Sequence, residues 1–180
     1  MSFRYEIRLS GAGGQGLILI GKILAEAAAI YDEKNATQSQ SYGPEARGGA
    51  SRSEVIISDT DIDYPKATHI DLLLAMTQEA VDKYVQDLKA GGIMLIDSSF
   101  VRQIPEGNFK VYSFPISALA EEKIGKKIVA NIIALGAIEK LSGVISEESI
   151  IKAIRSRVPK GTEELNIKAF KFGQNLIAAT

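Results

Sequence analysis

A glycine-rich turn near the amino terminus limits what this chain can fold into more than any other feature. Four glycines occur between Gly11 and Gly16, directly after a short apolar segment, Tyr5–Leu9. Apolar residues then recur at intervals of three and four from Gly14 to about Tyr31, which predicts a helix. Glycines permit tight turns with positive φ, and the first N–H groups of a helix have no intrahelical partner. The stretch therefore predicts an anion site at a helix amino terminus, unless the glycines serve only to bring helix and strand close together.

The rest of the chain alternates between strand and helix patterns. Strands are predicted at Ser51–Ser58 (with one wetter face), Ile70–Met76, Ile93–Ile96 and Lys110–Phe114, with a polar extended segment at Ala36–Ser41. Helices are predicted from an N-cap at Thr77 to about Leu88, before a break at Gly91-Gly92, and at Ile128–Leu141, from Ser146 to about Arg157, and Glu163–Ala178. Apolar strands without alternation are typical of a sheet covered by helices on both faces. We therefore predict one three-layer α/β/α domain over residues 1–180, with a mainly parallel sheet and a Rossmann-like first βα unit.

Composition excludes several classes of function. The 180 residues carry a formal net charge of −1, so there is no general positive field to attract nucleic acid. Cysteine is absent, which excludes disulfides, thiolate zinc sites and cysteine-ligated iron–sulfur clusters in this chain. His69 is the single histidine, so one chain cannot form a multi-histidine metal site. With neither a signal peptide nor a long apolar run in the sequence, we expect a cytoplasmic protein that does not enter a membrane.

The spacing Gly11-x-Gly13-x-x-Gly16 fits the fingerprint of dinucleotide-binding proteins. In that fingerprint, an acidic residue at the end of the second strand binds a ribose. Here the second strand is polar and carries no acid, and Asp32 and Glu33 precede it in a turn. This departure weakens the case for a nicotinamide or flavin. No Gly-Lys-Ser or Gly-Lys-Thr closes the turn, which excludes a P-loop.

A second candidate site is the segment Tyr42–Gly49, which is rich in glycine and carries both charges. The guanidinium of Arg47 could bind a phosphate or carboxylate in a two-pronged contact, and Glu45 could pair with Arg47 or with a partner. The alternative is a surface loop with an internal ion pair and no further role. Loops of this composition usually do more than connect elements, so we favour a binding or interface role. Asp97, which follows a buried strand, is open to a functional role or to an N-cap or turn role. We expect Tyr42–Gly49 and Asp97-Ser98-Ser99 to lie with the glycine turn at the carboxyl edge of the sheet.

Three motifs in this order carry a family resemblance. They are Gly11-Ala-Gly-Gly-Gln-Gly16, Gln38-Ser-Gln-Ser-Tyr-Gly-Pro-Glu-Ala-Arg-Gly-Gly49 and Ser51-Arg-Ser-Glu-Val55, with Asn131-Ile-Ile-Ala-Leu-Gly136 in a later helix. Over nearly its whole length the chain resembles the gamma subunit of 2-oxoacid:ferredoxin oxidoreductases, and its motifs are most similar to those of the 2-oxoglutarate enzymes. Such enzymes oxidatively decarboxylate a 2-oxoacid to its acyl-CoA and reduce ferredoxin.

The resemblance implies a division of labour among subunits. Thiamine diphosphate, magnesium and iron–sulfur clusters are expected in the alpha, beta and ferredoxin-like delta subunits, and this chain holds no cofactor and no catalytic residue of its own. Coenzyme A is the co-substrate that the resemblance carries to this chain, with binding positions at Gly11, Gly13, Gly14, Gln15, Gly16, Tyr42, Gly43, Glu45, Arg47 and Gly48. Two alternatives stay open: the small subunit of indolepyruvate:ferredoxin oxidoreductase, and a stand-alone nucleotide-binding α/β protein.

Overall fold

A six-stranded sheet forms the centre of the computed structural model, which describes residues 2–41 and 50–180. The strands lie in the order β2-β3-β1-β4-β5-β6. Their bounds are β1 Arg4–Gly11, β2 Asn35–Gln40, β3 Ser51–Ser58, β4 Ile70–Ala75, β5 Leu88–Asp97 and β6 Phe109–Phe114. Strands β1, β4, β5 and β6 pair in parallel, whereas β3 pairs antiparallel with both β1 and β2. The predicted mainly parallel sheet is thus confirmed, with one reversed strand inside it.

Six α-helices connect and cover these strands within the described residues. They are α1 Leu17–Glu26, α2 Gln78–Tyr84, α3 Ile116–Leu119, α4 Ala130–Ser142, α5 Glu147–Arg157 and α6 Glu163–Ala178. Helix α1 continues through a wide π-helical turn at Ala27–Tyr31, and a second such turn, Ala120–Ile124, follows α3. The predicted N-caps are confirmed, because the hydroxyl of Thr77 accepts a hydrogen bond from the N–H of Ala80 at 3.3 Å and that of Ser146 accepts one from Ser149 at 3.2 Å.

The helices cover the two faces of the sheet unequally. On one face, the apolar side chains of β1 and β4, such as Ile7 and Leu72, join a large core with α1, α4, α5 and α6. On the other face, a smaller core forms around α2, with Leu73 and Met94 from the sheet. The predicted three-layer architecture is confirmed, with most of its helical mass on one side.

Strand β5 differs from the prediction at its beginning. Helix α2 ends at Tyr84 rather than near Leu88, which is instead the first residue of β5. Gly91 and Gly92, predicted to break the pattern, lie inside this strand. Gly91 has a φ of 78° and its N–H donates to the carbonyl of Asn108 at 2.7 Å, while the β4–β5 register shifts nearby. The glycines therefore produce an irregularity within the strand rather than ending it.

The polar face of β3 is buried, contrary to the predicted wetter face. Glu54 is only 8% exposed, and its carboxylate lies 3.1 Å from the guanidinium of Arg8 on the neighbouring strand. Arg8 also lies over the ring of Tyr84, 4.8 Å from its centroid. The prediction was wrong because the α2 side of the sheet covers this face, so its charges are satisfied by one another instead of by water.

Helices α4 and α6 cross at two glycines. A Cβ added at Gly136 would lie 2.0 Å from the carbonyl oxygen of Phe170, and one added at Gly173 would lie 1.9 Å from that of Ile133. The backbones therefore approach more closely than any side chain at these positions would permit. This crossing sets the position of α4, whose first residues reach the glycine turn.

Candidate functional site at the glycine turn

The glycine turn lies at the carboxyl edge of the sheet, as predicted. Strand β1 ends at Gly11 and α1 begins at Leu17, slightly later than the predicted start. Gly14 and Gly16 have φ values of 85° and 73°, which L-residues with side chains rarely adopt. Glycine at these two positions is thus a requirement of the turn itself.

Gln15 stabilises the turn from within. Its side-chain oxygen accepts a hydrogen bond from the N–H of Ala12 at 2.7 Å, and its own N–H donates to the carbonyl of Ala12 at 3.3 Å. A Cβ at Gly11 would lie 2.2 Å from this same side-chain oxygen. The amide oxygen of Gln15 therefore shapes the turn and is already engaged by the backbone.

The amino terminus of α1 has no cap of its own. Its N-cap is Gly16, which has no side chain, and no acidic residue occurs in its first turn. Helix α5, by contrast, has the Ser146 cap and two acids in its first turn. Gly13 and Gly14 are exposed, and no described residue accepts a hydrogen bond from their backbone N–H groups. The positive end of the α1 dipole is therefore open to an anion from outside.

Asn131, at the start of α4, holds this helix against the turn. Its side-chain Nδ2 donates to the carbonyl of Gly16 at 3.1 Å, and its Oδ1 accepts from the N–H of Ile132 at 2.9 Å. A Cβ at Gly16 would lie 2.3 Å from that Nδ2. The sequence offered one signal for this role, a polar residue directly before the apolar run 132–138.

Two clefts open beside the turn. The larger, about 430 Å³, is bounded by Gly14 and Gln15 together with Met76, Phe100, Ser117, Lys127, Ile128 and Ala130. The smaller, about 270 Å³, extends from Gly14 and Gly16 past Asn131 to the start of α6. Ile128 lines both clefts and is 80% exposed. These linings come from segments far apart in the chain, which is why local sequence patterns did not identify them.

Lys127 gives the larger cleft a positive charge. Its Nζ lies 5.6 Å from the centroid of the Phe100 ring, a distance suited to a cation–π contact. Sequence reasoning did not single out either residue. An exposed cation beside an uncapped helix amino terminus makes this cleft suited to an anionic group.

Asp97 has a structural role in the fold. Its side chain is fully buried and accepts hydrogen bonds from the N–H of Ser117 at 3.1 Å, the hydroxyl of Ser117 at 2.6 Å and the N–H of Ser99 at 3.0 Å. These contacts join the end of β5 to the beginning of α3. Of the two roles left open for Asp97, the structure supports the turn and cap role.

The second candidate segment lies outside the described residues. Tyr42, Gly43, Glu45, Arg47 and Gly48 belong to it, and their predicted binding role stays a prediction. The described residues on either side reach the same edge as the glycine turn: Ser51 pairs with Gly11 across the β1–β3 ladder, and the N–H of Ser41 donates to the carbonyl of Arg52 at 3.0 Å.

Over residues 2–41 and 50–180, no group of three or more histidine, aspartate or glutamate side chains is arranged to hold a metal ion. In the same described ranges, no helix has the length and apolar character needed to cross a membrane.

Comparisons with known proteins give consistent matches. The family model described as pyruvate ferredoxin/flavodoxin oxidoreductase matches residues 6–176. The 2-oxoglutarate synthase subunit KorC of Methanocaldococcus jannaschii is 53% identical over 175 residues, covering 96% of this chain and 94% of that protein. Its counterpart in Methanothermobacter marburgensis is 49% identical over 180 residues, covering 97% of each. The crystal structure of a keto/oxoacid ferredoxin oxidoreductase gamma subunit from Geobacter sulfurreducens PCA superposes with a TM-score of 0.89 at 57% identity, covering 98% of this chain and 99% of that one.

Proposed function

Because this chain belongs to the pyruvate ferredoxin/flavodoxin oxidoreductase family, we propose that it is the gamma subunit of a 2-oxoglutarate:ferredoxin oxidoreductase. Relatives at 53% and 49% identity are subunits of 2-oxoglutarate synthase, and a structure at 57% identity is a gamma subunit. The assembled enzyme oxidatively decarboxylates 2-oxoglutarate, forms succinyl-CoA and passes the electrons to ferredoxin. Residues 1–180 act in it as one gamma-type domain in the cytoplasm.

The catalytic groups of this enzyme reside in the other subunits. The absence of cysteine from the sequence supports this division, because iron–sulfur clusters are normally ligated by cysteine thiolates. We assign the clusters, thiamine diphosphate and magnesium to alpha, beta and ferredoxin-like delta subunits. The contribution of this chain is to bind and orient a co-substrate.

We assign coenzyme A to the glycine turn. One observation carries the assignment: the amino terminus of α1 is uncapped, and the turn before it has exposed residues at Gly13 and Gly14 and borders two clefts. Phosphate groups are suited to such a terminus, since the N–H groups and the helix dipole both favour negative charge. Lys127 adds a cation on the rim of the larger cleft. The predicted residues from Tyr42 to Gly48, including Arg47, belong to the same proposed site.

A Gly13→Val variant tests this assignment. Gly13 is not among the glycines with positive φ, so valine adds a side chain over the turn with little backbone strain. We expect the KM for coenzyme A in the assembled enzyme to rise about 10-fold or more, as loss of one hydrogen bond to a charged group implies. The KM for 2-oxoglutarate should stay nearly unchanged. Ala178→Val, an exposed change at the far end of α6, is the matched control.

The outcome also separates binding from assembly. If coenzyme A kinetics are unaltered and Gly13→Val instead prevents the subunits from associating, the turn is an interface element and the ligand assignment is wrong. If the purified partner subunits do not associate with the unaltered chain at all, the proposed function itself is wrong.

A further inference from the structure

A shallow groove of about 590 Å³ lies between α6 and the wide turn at Ala120–Ile124. It shares no lining residue with the two clefts at the glycine turn. Its floor is apolar, with Ile124, Ile167 and Phe172, of which Ile124 and Phe172 are half-buried. Exposed lysine side chains surround this floor, so the groove combines an apolar surface with a charged rim.

Two of the three lysines on this rim have no ion-pair partner in the described part of the chain. Lys168 and Lys171 are exposed and form no ion pair with any described residue. Lys123 forms an ion pair with its chain neighbour Glu122 at 3.2 Å, and both side chains are exposed. Of the described residues that line the groove, Glu164 alone carries a carboxylate, and Arg155 pairs with it at 2.8 Å. The groove is therefore positive in a protein whose formal net charge is −1.

A second surface groove, along α5, gives a useful contrast. It has a similar volume, about 520 Å³, but carries Glu147 and Glu148 as well as Lys152 and Arg155. Lys152 lies 3.1 Å from Glu148, one helical turn away. Among the described residues, the lining of the α5 groove thus carries two acids and two bases, whereas that of the α6 groove carries three lysines and one glutamate.

We propose that the α6 groove, formed by Lys123, Ile124, Ile167, Lys168, Lys171 and Phe172, docks an acidic amphipathic segment of another subunit of the same complex. Apolar side chains of that segment cover the floor, and its carboxylates pair with the lysines. Complementary charge of this kind accelerates association and makes it sensitive to salt. The inference rests on the proposed function, because it requires a multisubunit enzyme.

Lysine accessibility in the assembled enzyme provides a direct test. Acetylation of lysines is compared between the isolated chain and the purified complex. In a separate, unacetylated sample of the complex, a carbodiimide links amines to carboxylates that are in direct contact. We expect Lys168 and Lys171 to lose reactivity on assembly, and their carbodiimide products to contain aspartate or glutamate of a partner subunit. Lys66, which precedes β4, and Lys110, in β6, are exposed and do not line the groove, so they should keep their reactivity.

Charge reversal provides an independent readout. The double variant Lys168→Glu/Lys171→Glu is compared with Lys66→Glu/Lys110→Glu, which makes the same change in net charge. We expect the first variant alone to weaken association by about tenfold at low salt, with a smaller difference at high salt and equal melting temperatures for both isolated chains.

Three results would contradict the proposal in distinguishable ways. Assembly with Lys168 and Lys171 still fully reactive would overturn the groove assignment and leave the proposed function intact. Cross-links between two copies of this chain would identify a second copy as the occupant and overturn it as well. Failure of the unaltered chain to assemble with any partner subunit would overturn the proposed function, and the groove assignment with it.

Discussion

Replacing Gly173 with alanine tests how tightly the α4–α6 crossing positions the rest of the molecule. The added Cβ would lie 1.9 Å from the carbonyl oxygen of Ile133 and 2.8 Å from its carbonyl carbon. Real Cβ atoms essentially never come closer than 3.0 Å to such a neighbour, so the helices must separate by about 1.1 Å or more. The obstacle is backbone on both sides, so no side chain can rotate to make room.

The expected change in the free energy of unfolding is the difference between two opposing contributions. Overpacking a well-packed core typically costs about 1–3 kcal/mol, and occasionally more, and here separation also loosens the fully buried Phe170 beside the crossing. Alanine in place of a helical glycine recovers up to about 1 kcal/mol of helix propensity. Because the added Cβ meets backbone atoms, which cannot rotate away, we expect the cost of overpacking to lie at or above the top of that range. The net destabilisation should be about 2–3 kcal/mol.

The assay is thermal and urea denaturation of the isolated chain, followed by circular dichroism. A loss of 2–3 kcal/mol corresponds to a Tm lower by about 5–10 °C for a chain of this size. Asn175→Ala, on the exposed side of the same helix, is the control and should change stability by no more than about 0.5 kcal/mol. Gly136→Ala/Gly173→Ala should cost less than the sum of the single changes, because the first separation relieves the second clash.

An unchanged or higher Tm for Gly173→Ala would mean that the helices separate without loss, so the close crossing would not be what positions α4. The hydrogen bond from Asn131 to the turn would then have to hold the helix in place alone.

Three further predictions concern other parts of the molecule. Partial burial acts to raise the pKa of Asp32, but hydrogen bonds from Ser149 and Ser146 outweigh it and hold the pKa below its ordinary value. The stability that this carboxylate contributes is therefore present at neutral pH and is lost as the pH falls through the lowered pKa. Asp32→Asn should cost about 1 kcal/mol at pH 7, as loss of a helix cap does, and the difference from the unaltered chain should shrink at pH 3; a constant difference in urea titrations would contradict this. Asn131→Ala should raise the KM for coenzyme A without changing that for 2-oxoglutarate, since it removes the contact between α4 and Gly16, and equal changes in both would indicate a general loss of structure. The isolated chain should show neither visible absorbance nor turnover with 2-oxoglutarate, coenzyme A and thiamine diphosphate, and turnover by the purified chain alone would disprove the division of labour.

The sequence by itself determined the order of helices and strands where local chemistry is decisive. The Thr77 and Ser146 caps, the limits of α6 and the strand–turn–helix unit at Gly11–Gly16 could all be read from residue spacing. Caps, apolar periodicity and the need for positive φ at a turn depend on neighbours within a few residues, so a linear pattern reports them. The absence of cysteine likewise excluded a class of cofactor sites without any structure.

Only the tertiary structure decided how these elements combine at the site. The reversed direction of β3 and the burial of Glu54 follow from strand order and from the covering of one face by α2, which alternation along a strand does not encode. The clefts join Gly14 to Ile128, more than a hundred residues later in the chain. The position of Asn131 depends on two helices crossing at glycines. Each of these features is a contact between residues distant in sequence, and such contacts are decided by packing of the whole chain rather than by any local pattern.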